Sequence, residues 1–318
     1  LSFFHRNKYE NFFLSKKFSE FNIYEKIVFF KVIFENCDVK KTYEIDQKFF
    51  SNFILKNFFK NELKSSLFSY NILKKNYHTL KNFENDINFK NLIANKSIAI
   101  VGPSNNLNFN KNDLIKYDII VHTNVFDKDN LYIFNKTISY YSKFNTSKID
   151  LYIDQNNFDF FNKIQFVCVK GSSYKIKKNI TNSRQFDSKL NIVSGSEQLI
   201  QYIISDLIKF NPKKIKIFST DFYLNEQPYN ISYSGNKLRD TNFLERKAIS
   251  KASLSFHDII SQIKFIKTFK KLGYIEVDDF TGNFIDKNSE ELENLIINSF
   301  KNTYKITDIN NENPELKI

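Results

Sequence analysis

Histidine is scarce in this chain, and His257 alone opens a stretch, Ser255-Phe-His-Asp-Ile-Ile-Ser-Gln262, that reads as the start of a helix running to about Leu272 and stopping at Gly273. An imidazole with its ordinary pKa near ~6.5 can take a proton at neutral pH, so His257 is the candidate general base. The plainer alternative is a helix-start cap or a surface position. Ser219-Thr-Asp-Phe-Tyr223 finishes a strand-like run, and Tyr229 follows six residues on. Two phenols beyond a strand end can donate hydrogen bonds to a leaving phosphate without a metal ion. Val193-Ser-Gly-Ser196 leads straight into a helical pattern. There Ser194, Gly195 and Ser196 offer hydroxyls, backbone N–H groups and the positive end of the helix dipole, the makings of an anion site; simple capping by Ser194 or Ser196 is the alternative.

Two further stations are amide- and glycine-based. In Ile100-Val-Gly-Pro-Ser-Asn-Asn-Leu107, Gly102 permits close backbone approach, and Ser104 and Asn105 set short polar groups after a buried strand. Open α/β sheets bind ligands at that end of their strands. The pattern is neither the dinucleotide G-x-G-x-x-G nor a P-loop. Asn124 and Asn156 end the next strand-like runs. An amide that both donates and accepts suits ribose or base edges, although an Asn often only stabilises its own turn.

The elements that must position these residues change character along the chain. Residues 1–95 contain no glycine, and Tyr24–Phe34 and Phe49–Phe59 repeat apolar residues at helical spacing, which predicts a helical N-terminal accessory segment. From residue 96 to 318, short β-rich runs alternate with helices. Strands are expected at Ser97–Val101, Asp118–His122, Ile149–Ile153, Ile164–Val169 and Lys214–Phe218, and helices at Ser196–Phe210, His257–Leu272 and Glu290–Phe300. The last is entered through Asn288 with Glu291 three residues later, a capping box. Strand–helix alternation implies an α/β class: a mainly parallel Rossmann-like sheet with helices on both faces.

Bulk properties bound the rest. A 318-residue chain that is 42% hydrophobic can bury one large core. The net charge of +12 favours anionic partners without choosing among nucleic acid, acidic lipid and nucleotide-sugar. Zinc-finger spacing, an RNP-like aromatic strand and a compact basic helix are all missing, which argues against a nucleic-acid reader. Cys37 and Cys168 form no metal or disulfide pattern, as expected of a cytoplasmic protein. No apolar run reaches the ~20 residues of a membrane span, while an aromatic, basic N-terminal helix would allow peripheral association with an inner membrane. The absence of Met at position 1 points to a start upstream.

The order of the stations resembles the bacterial sialyltransferases of the Campylobacter lipooligosaccharide type, and more distantly the animal sialyltransferases with their sialylmotifs. Val101-Gly-Pro-Ser104 is similar to the bacterial strand-Gly-Asn-Gly-Pro-Ser, and Val101–Leu107 to the animal Val-Gly-Asn-Ser-Gly-Asn-Leu. Asn124, Val193-Ser-Gly195, Thr220-Asp-Phe-Tyr223 with Tyr229, and then His257 follow in the family order over roughly residues 97–280; Gln262 stands where the animal motif has Glu. The resemblance implies a CMP-sugar-dependent, inverting glycosyltransferase that needs no cofactor or metal. Gly102, Ser104, Asn105, Asn124, Asn156, Ser194, Gly195, Ser196 and Asp221 would hold the nucleotide-sugar donor, His257 would act as base, and Tyr223 and Tyr229 would steady the departing phosphate. The acceptor implied is an oligosaccharide or lipid-linked surface glycan. A transferase of another CMP-linked acid or a different activated group on this fold, and a non-catalytic basic binding protein, remain the alternative readings.

Overall fold

The computed structural model describes residues 3–51, 57, 59–76, 86–105, 110–125, 136–142, 149, 158–170, 180, 182–186, 198–225 and 257–310. At its centre lie β1 (Ser97–Val101), β2 (Ile119–Thr123), β3 (Thr137–Tyr141), β4 (Phe166–Lys170), β5 (Ser183–Phe186), β6 (Lys214–Phe218) and β7 (Glu276–Val277). All seven run parallel in one sheet, in the order β5-β4-β3-β2-β1-β6-β7. Around it, among the described residues, are α1 (Phe3–Ser15), α2 (Ile23–Glu35), α3 (Lys60–Leu73), α4 (Ile87–Ile93), α5 (Phe158–Asn162), α6 (Leu199–Leu207), α7 (Ile259–Lys271), α8 (Asp279–Ile285) and α9 (Ser289–Asn310). This is the expected Rossmann-like α/β architecture with a helical N-terminus.

Strand composition follows from burial on both faces. Successive side chains of a strand point to opposite sides, so a doubly covered strand reads as a continuous apolar run. Ile98, Ile100, Ile119, Val121, Ile138, Ile215 and Ile217 face one core with α2, α6 and α7, while Ala99, Val101, Ile120 and Phe218 face a second with Leu114 and Tyr117. The N-terminal helices join the first core and leave no gap at residue 95: Phe34 of α2 packs edge-on against Phe265 and Phe269 of α7 at 5.2 and 5.7 Å, and Thr268 Oγ1 donates to the Phe34 carbonyl at 2.7 Å. Among the described residues no helix is long and apolar enough to cross a membrane.

Register brings the chemistry-bearing residues to one edge. Val101 lies opposite both His122 and Phe218, so β1 and β6 end level and β2 runs one residue further, to Thr123. Tyr141 lies opposite Val169, which sets Lys170 beside Ser142 on the same edge. The strand order reverses at β1, with β2 to β5 on one side and β6 and β7 on the other.

Several boundaries differ from the sequence reading. The expected strand Ile149–Ile153 is a correction: Ile149 is helical and fully buried, and 150–153 lie outside the described residues. The strand following β2 is instead Thr137–Tyr141, whose Thr137 and Ser139 are fully buried; alternating hydroxyls disguise its doubly covered position. Edge strand β5 was hidden by Arg184, a charge buried by ion pairs to Asp86 (2.8 Å) and to Asp206, which also accepts from the Tyr140 hydroxyl at 2.7 Å. Of the run Phe49–Phe59, a 3-10 turn over Gln47–Ser51 is helical, and 52–56 and 58 lie outside the described residues. Around α9 the capping box is as read: Asn288 N donates to Glu291 Oε2 and Glu291 N to Asn288 Oδ1.

His122 sits inside the sheet, 2% exposed, and burial pulls its pKa down to about 4. The unfolded chain takes up this proton as pH falls through about 6.5, whereas the folded chain resists until about 4. Folded-state stability therefore declines across that window, by roughly 3 kcal/mol from this group. Urea unfolding at pH 7 and pH 4 should show His122→Leu losing less stability than the parent over the interval, by about that amount.

Candidate functional site

The loops leaving β1 and β6 meet where the strand order reverses, the place at which open α/β sheets form their ligand crevice. Gly102 N donates to the Phe218 carbonyl at 2.8 Å and Ser104 N to the Ser219 carbonyl at 3.1 Å, which extends the β1–β6 ladder past the strands. A Cβ on Gly102 would lie 2.3 Å from Thr220 Oγ1 and 2.5 Å from Ser219 O. The close approach that this glycine permits includes one to the β6 loop, at the Thr220 hydroxyl and the Ser219 carbonyl. The hydroxyls of Ser104 and Ser219, 6% and 2% exposed, have no hydrogen-bond partner among the described residues. A buried polar group left so costs on the order of 1–3 kcal/mol. Asn105 follows Ser104 and is exposed.

At the end of β2, Asn124 has φ +50°, a left-handed conformation that Asn tolerates better than most residues. Its N–H donates to the Tyr140 carbonyl at 2.8 Å and its Oδ1 accepts from Ser142 N at 2.9 Å. The side-chain oxygen read as a nucleotide contact holds the end of β3 in place.

The β6 loop is the most contorted part of the edge. Ser219, Phe222 and Tyr223 have φ of +53°, +54° and +66°. Each such conformation costs of order 1–3 kcal/mol and persists only when the surroundings over-determine it. Here Asp278, the N-cap of α8, accepts from Thr281 N through one oxygen and from Ser219 N (3.0 Å) through the other. Thr281 Oγ1 accepts from Thr220 N at 3.1 Å, and Phe222 is 1% exposed. Asp221, buried, accepts from Tyr223 N at 3.1 Å, and its carbonyl accepts from Leu224 N at 2.9 Å. It shapes the turn that presents Tyr223.

His257 immediately precedes Asp258, which caps α7 by accepting from Ser261 N at 3.1 Å. The His257 and Tyr223 rings lie parallel within 3°, their centroids 6.0 Å apart, an offset stacking distance. Burial and then the ammonium of Lys170 hold the His257 pKa below its ordinary value; the positive end of α7 acts in the same sense. The imidazole is therefore neutral at physiological pH, the state a base requires. Lys170, at the end of β4, sits with its Nζ 3.4 Å from the centroid of the Tyr202 ring of α6. Gln262 does not orient His257: its Oε1 accepts from Gln198 N and its carbonyl from Gln201 Nε2, tying α7 to the start of α6.

Of the residues singled out from sequence, Gly102, Ser104, Asn105, Asn124, Asp221 and Tyr223 lie on one sheet edge, and His257 reaches it from α7. Tyr229, Asn156, Ser194, Gly195 and Ser196 lie outside the described residues. Sequence reasoning missed Lys170, Tyr202, Asp278 and Thr281. The Asp278–Thr281 pair carries a helix-start signature that was open to reading, and Lys170 is a cation ending an apolar strand. Among the described residues no group of three or more His, Cys, Asp or Glu could hold a metal ion. Compared with protein-family models, curated proteins and solved structures, the chain matches none.

Substituting Gly102→Ala should lower stability by about 1–3 kcal/mol, the usual result of overpacking. Gly282→Ala, whose Cβ would meet nothing nearer than 3.6 Å, should be neutral or stabilising by up to about 1 kcal/mol as a helix Gly→Ala change. Urea denaturation of the two variants checks the contrast.

Proposed function

We propose that the chain is a CMP-sugar-dependent, sialyltransferase-like glycosyltransferase that moves a sugar acid to a glycan hydroxyl with inversion at the anomeric carbon. The observation that carries this reading is the stacked pair of His257 and Tyr223, 6.0 Å apart at the loop that leaves β6. The two stations are 34 residues apart in sequence, and a base-and-leaving-group arrangement of the kind implied by the resemblance gives both a task at one place. The buried hydroxyls of Ser104 and Ser219 support the reading as hydrogen-bonding groups at the nucleotide end.

In the proposed reaction a ring nitrogen of neutral His257 takes the acceptor hydroxyl proton as the oxygen attacks the anomeric carbon. The bond from that carbon to the phosphate oxygen breaks, its electron pair leaves with CMP, and the Tyr223 hydroxyl donates to the phosphate. Tyr229 shares that last task in the reading from sequence. A single displacement has one attack face, hence inversion.

Incubation with CMP-Neu5Ac and a glycan acceptor should release CMP, and His257→Ala should lower the rate by about 10²–10⁴, the range for a lost general base, with CMP affinity unchanged. Transfer by His257→Ala at the parent rate would remove the base assignment. A thermal-shift screen in which UDP, GDP or ADP stabilises the protein and CMP does not would move the reading to another activated donor. Because phenols are assigned the leaving phosphate, transfer should persist in EDTA; a strict requirement for Mn²⁺ or Mg²⁺ would count against that assignment.

A further inference from the structure

The residue after His257 is gripped by the far end of the chain. Arg6 of α1 is 4% exposed, and its Nη1 lies 2.6 Å from Asp258 Oδ2. Its Nη2 donates to Glu35 Oε2 of α2 and to Ser261 Oγ of α7, both at 2.6 Å, and its Nε donates to Glu10 Oε1 at 3.0 Å. Lys264, one turn further along α7, closes the set with 2.6 and 2.7 Å bonds to Glu10. One guanidinium thus holds three carboxylates, two of them almost wholly buried, and a hydroxyl.

We infer that Arg6 is a positioning residue for His257, which makes the N-terminal segment part of the catalytic unit. The inference rests on the proposed role of His257. Asp258 has two duties: Oδ1 caps α7 through Ser261 N, and Oδ2 accepts from Arg6 and from Ser261 Oγ. Its backbone is thereby fixed in the extended cap conformation, φ −76° and ψ +90°, which sets the direction in which the adjoining His257 meets the Tyr223 ring. Without Arg6, Asp258 and Glu35 would face each other as like charges in a poorly hydrated space while Glu10 keeps Lys264, and the cap would move away from them. Lysine cannot replace the fork, because a single ammonium has three donors and no planar geometry to reach four partners on three helices.

Two readouts separate positioning from general stability. The chain holds four histidines, His5, His78, His122 and His257, so a His257→Gln variant assigns the His257 ring signals in a proton–nitrogen or proton–carbon NMR spectrum. Those signals carry the ring-current shift of Tyr223. In folded Arg6→Met they should move towards unstacked values, and transfer should slow by on the order of 10²-fold, the effect of about 1 Å of misplacement, with the KM for CMP donor unchanged. Arg6→Lys should recover only part of both. Asp206→Asn, which removes a buried charge with no bond to α7, should lower the melting temperature and leave the His257 signals in place.

Folded Arg6→Met with His257 signals coincident with the parent overturns the inference. Should Arg6→Met not fold, Asp258→Asn is read in the same way, since Asn keeps the cap and loses the ion pair; coincident signals there overturn it equally. Displaced signals in a protein that transfers nothing from CMP donors would uphold the positioning role and remove the glycosyltransferase reading.

Discussion

Between the ends of β1 and β6 there is no volume for a side chain. The backbone of Gly102 lies against Ser219 and Thr220 so closely that a Cβ would fall 2.3 Å from the Thr220 hydroxyl oxygen. The two hydrogen bonds made across this contact, Gly102 N to Phe218 O and Ser104 N to Ser219 O, keep the ladder closed beyond the strands. The loops that leave β1 and β6 take their relative place from that closure. It fixes the start of the β6 loop, which fixes Tyr223, and it buries the Ser104 and Ser219 hydroxyls where the strand order reverses. An alanine would not merely crowd the turn; it would part the two strands whose level ends define the crevice.

The β6 loop shows how a strained conformation is kept. Three residues with side chains hold positive φ within five positions, and by ordinary magnitudes such conformations together oppose folding by several kcal/mol. The compensation comes from α8. Asp278 uses both carboxylate oxygens, one for its own helix and one for Ser219 N, and Thr281 uses its hydroxyl for Thr220 N. Phe222 adds near-complete burial. A helix that touches no reacting group in the proposed mechanism therefore decides where the phenol points.

The sheet was legible where burial on both faces demands unbroken apolar runs, as at Ser97–Val101 and Lys214–Phe218, whose bounds agree with the strands. It was illegible where a tertiary partner excuses a polar residue. Thr137 and Ser139 hide β3, and Arg184 hides β5 until Asp86 and Asp206 are seen beside it. The stations at Tyr223 and His257 were legible as residue types in an order, but their stacking depends on how α7 crosses the sheet, which spacing along the chain does not encode. Asn124 and Asp221 look like ligand groups from sequence because a polar residue after a strand reads alike whether it faces a nucleotide or a neighbouring N–H. The bonds to Ser142 N and Tyr223 N give each of them a task within the loops. Lys170 could not be weighed at all before Tyr202 and His257 were found around it.

The electrostatics of His257 set a balance rather than a maximum. A base works best when its pKa lies near the working pH, since a lower value keeps it unprotonated but weakens its pull on the proton. Burial and Lys170 both push His257 down, so the site favours the neutral imidazole over the stronger base. Asp258, the adjoining carboxylate, is engaged by Arg6 and Ser261. Geometry and pKa thus have separate sources: the contact between α1 and the start of α7 holds the backbone beside His257, while burial and Lys170 lower the ring's pKa. The N-terminal helices are thus bonded directly to the helix that carries the proposed base at its start.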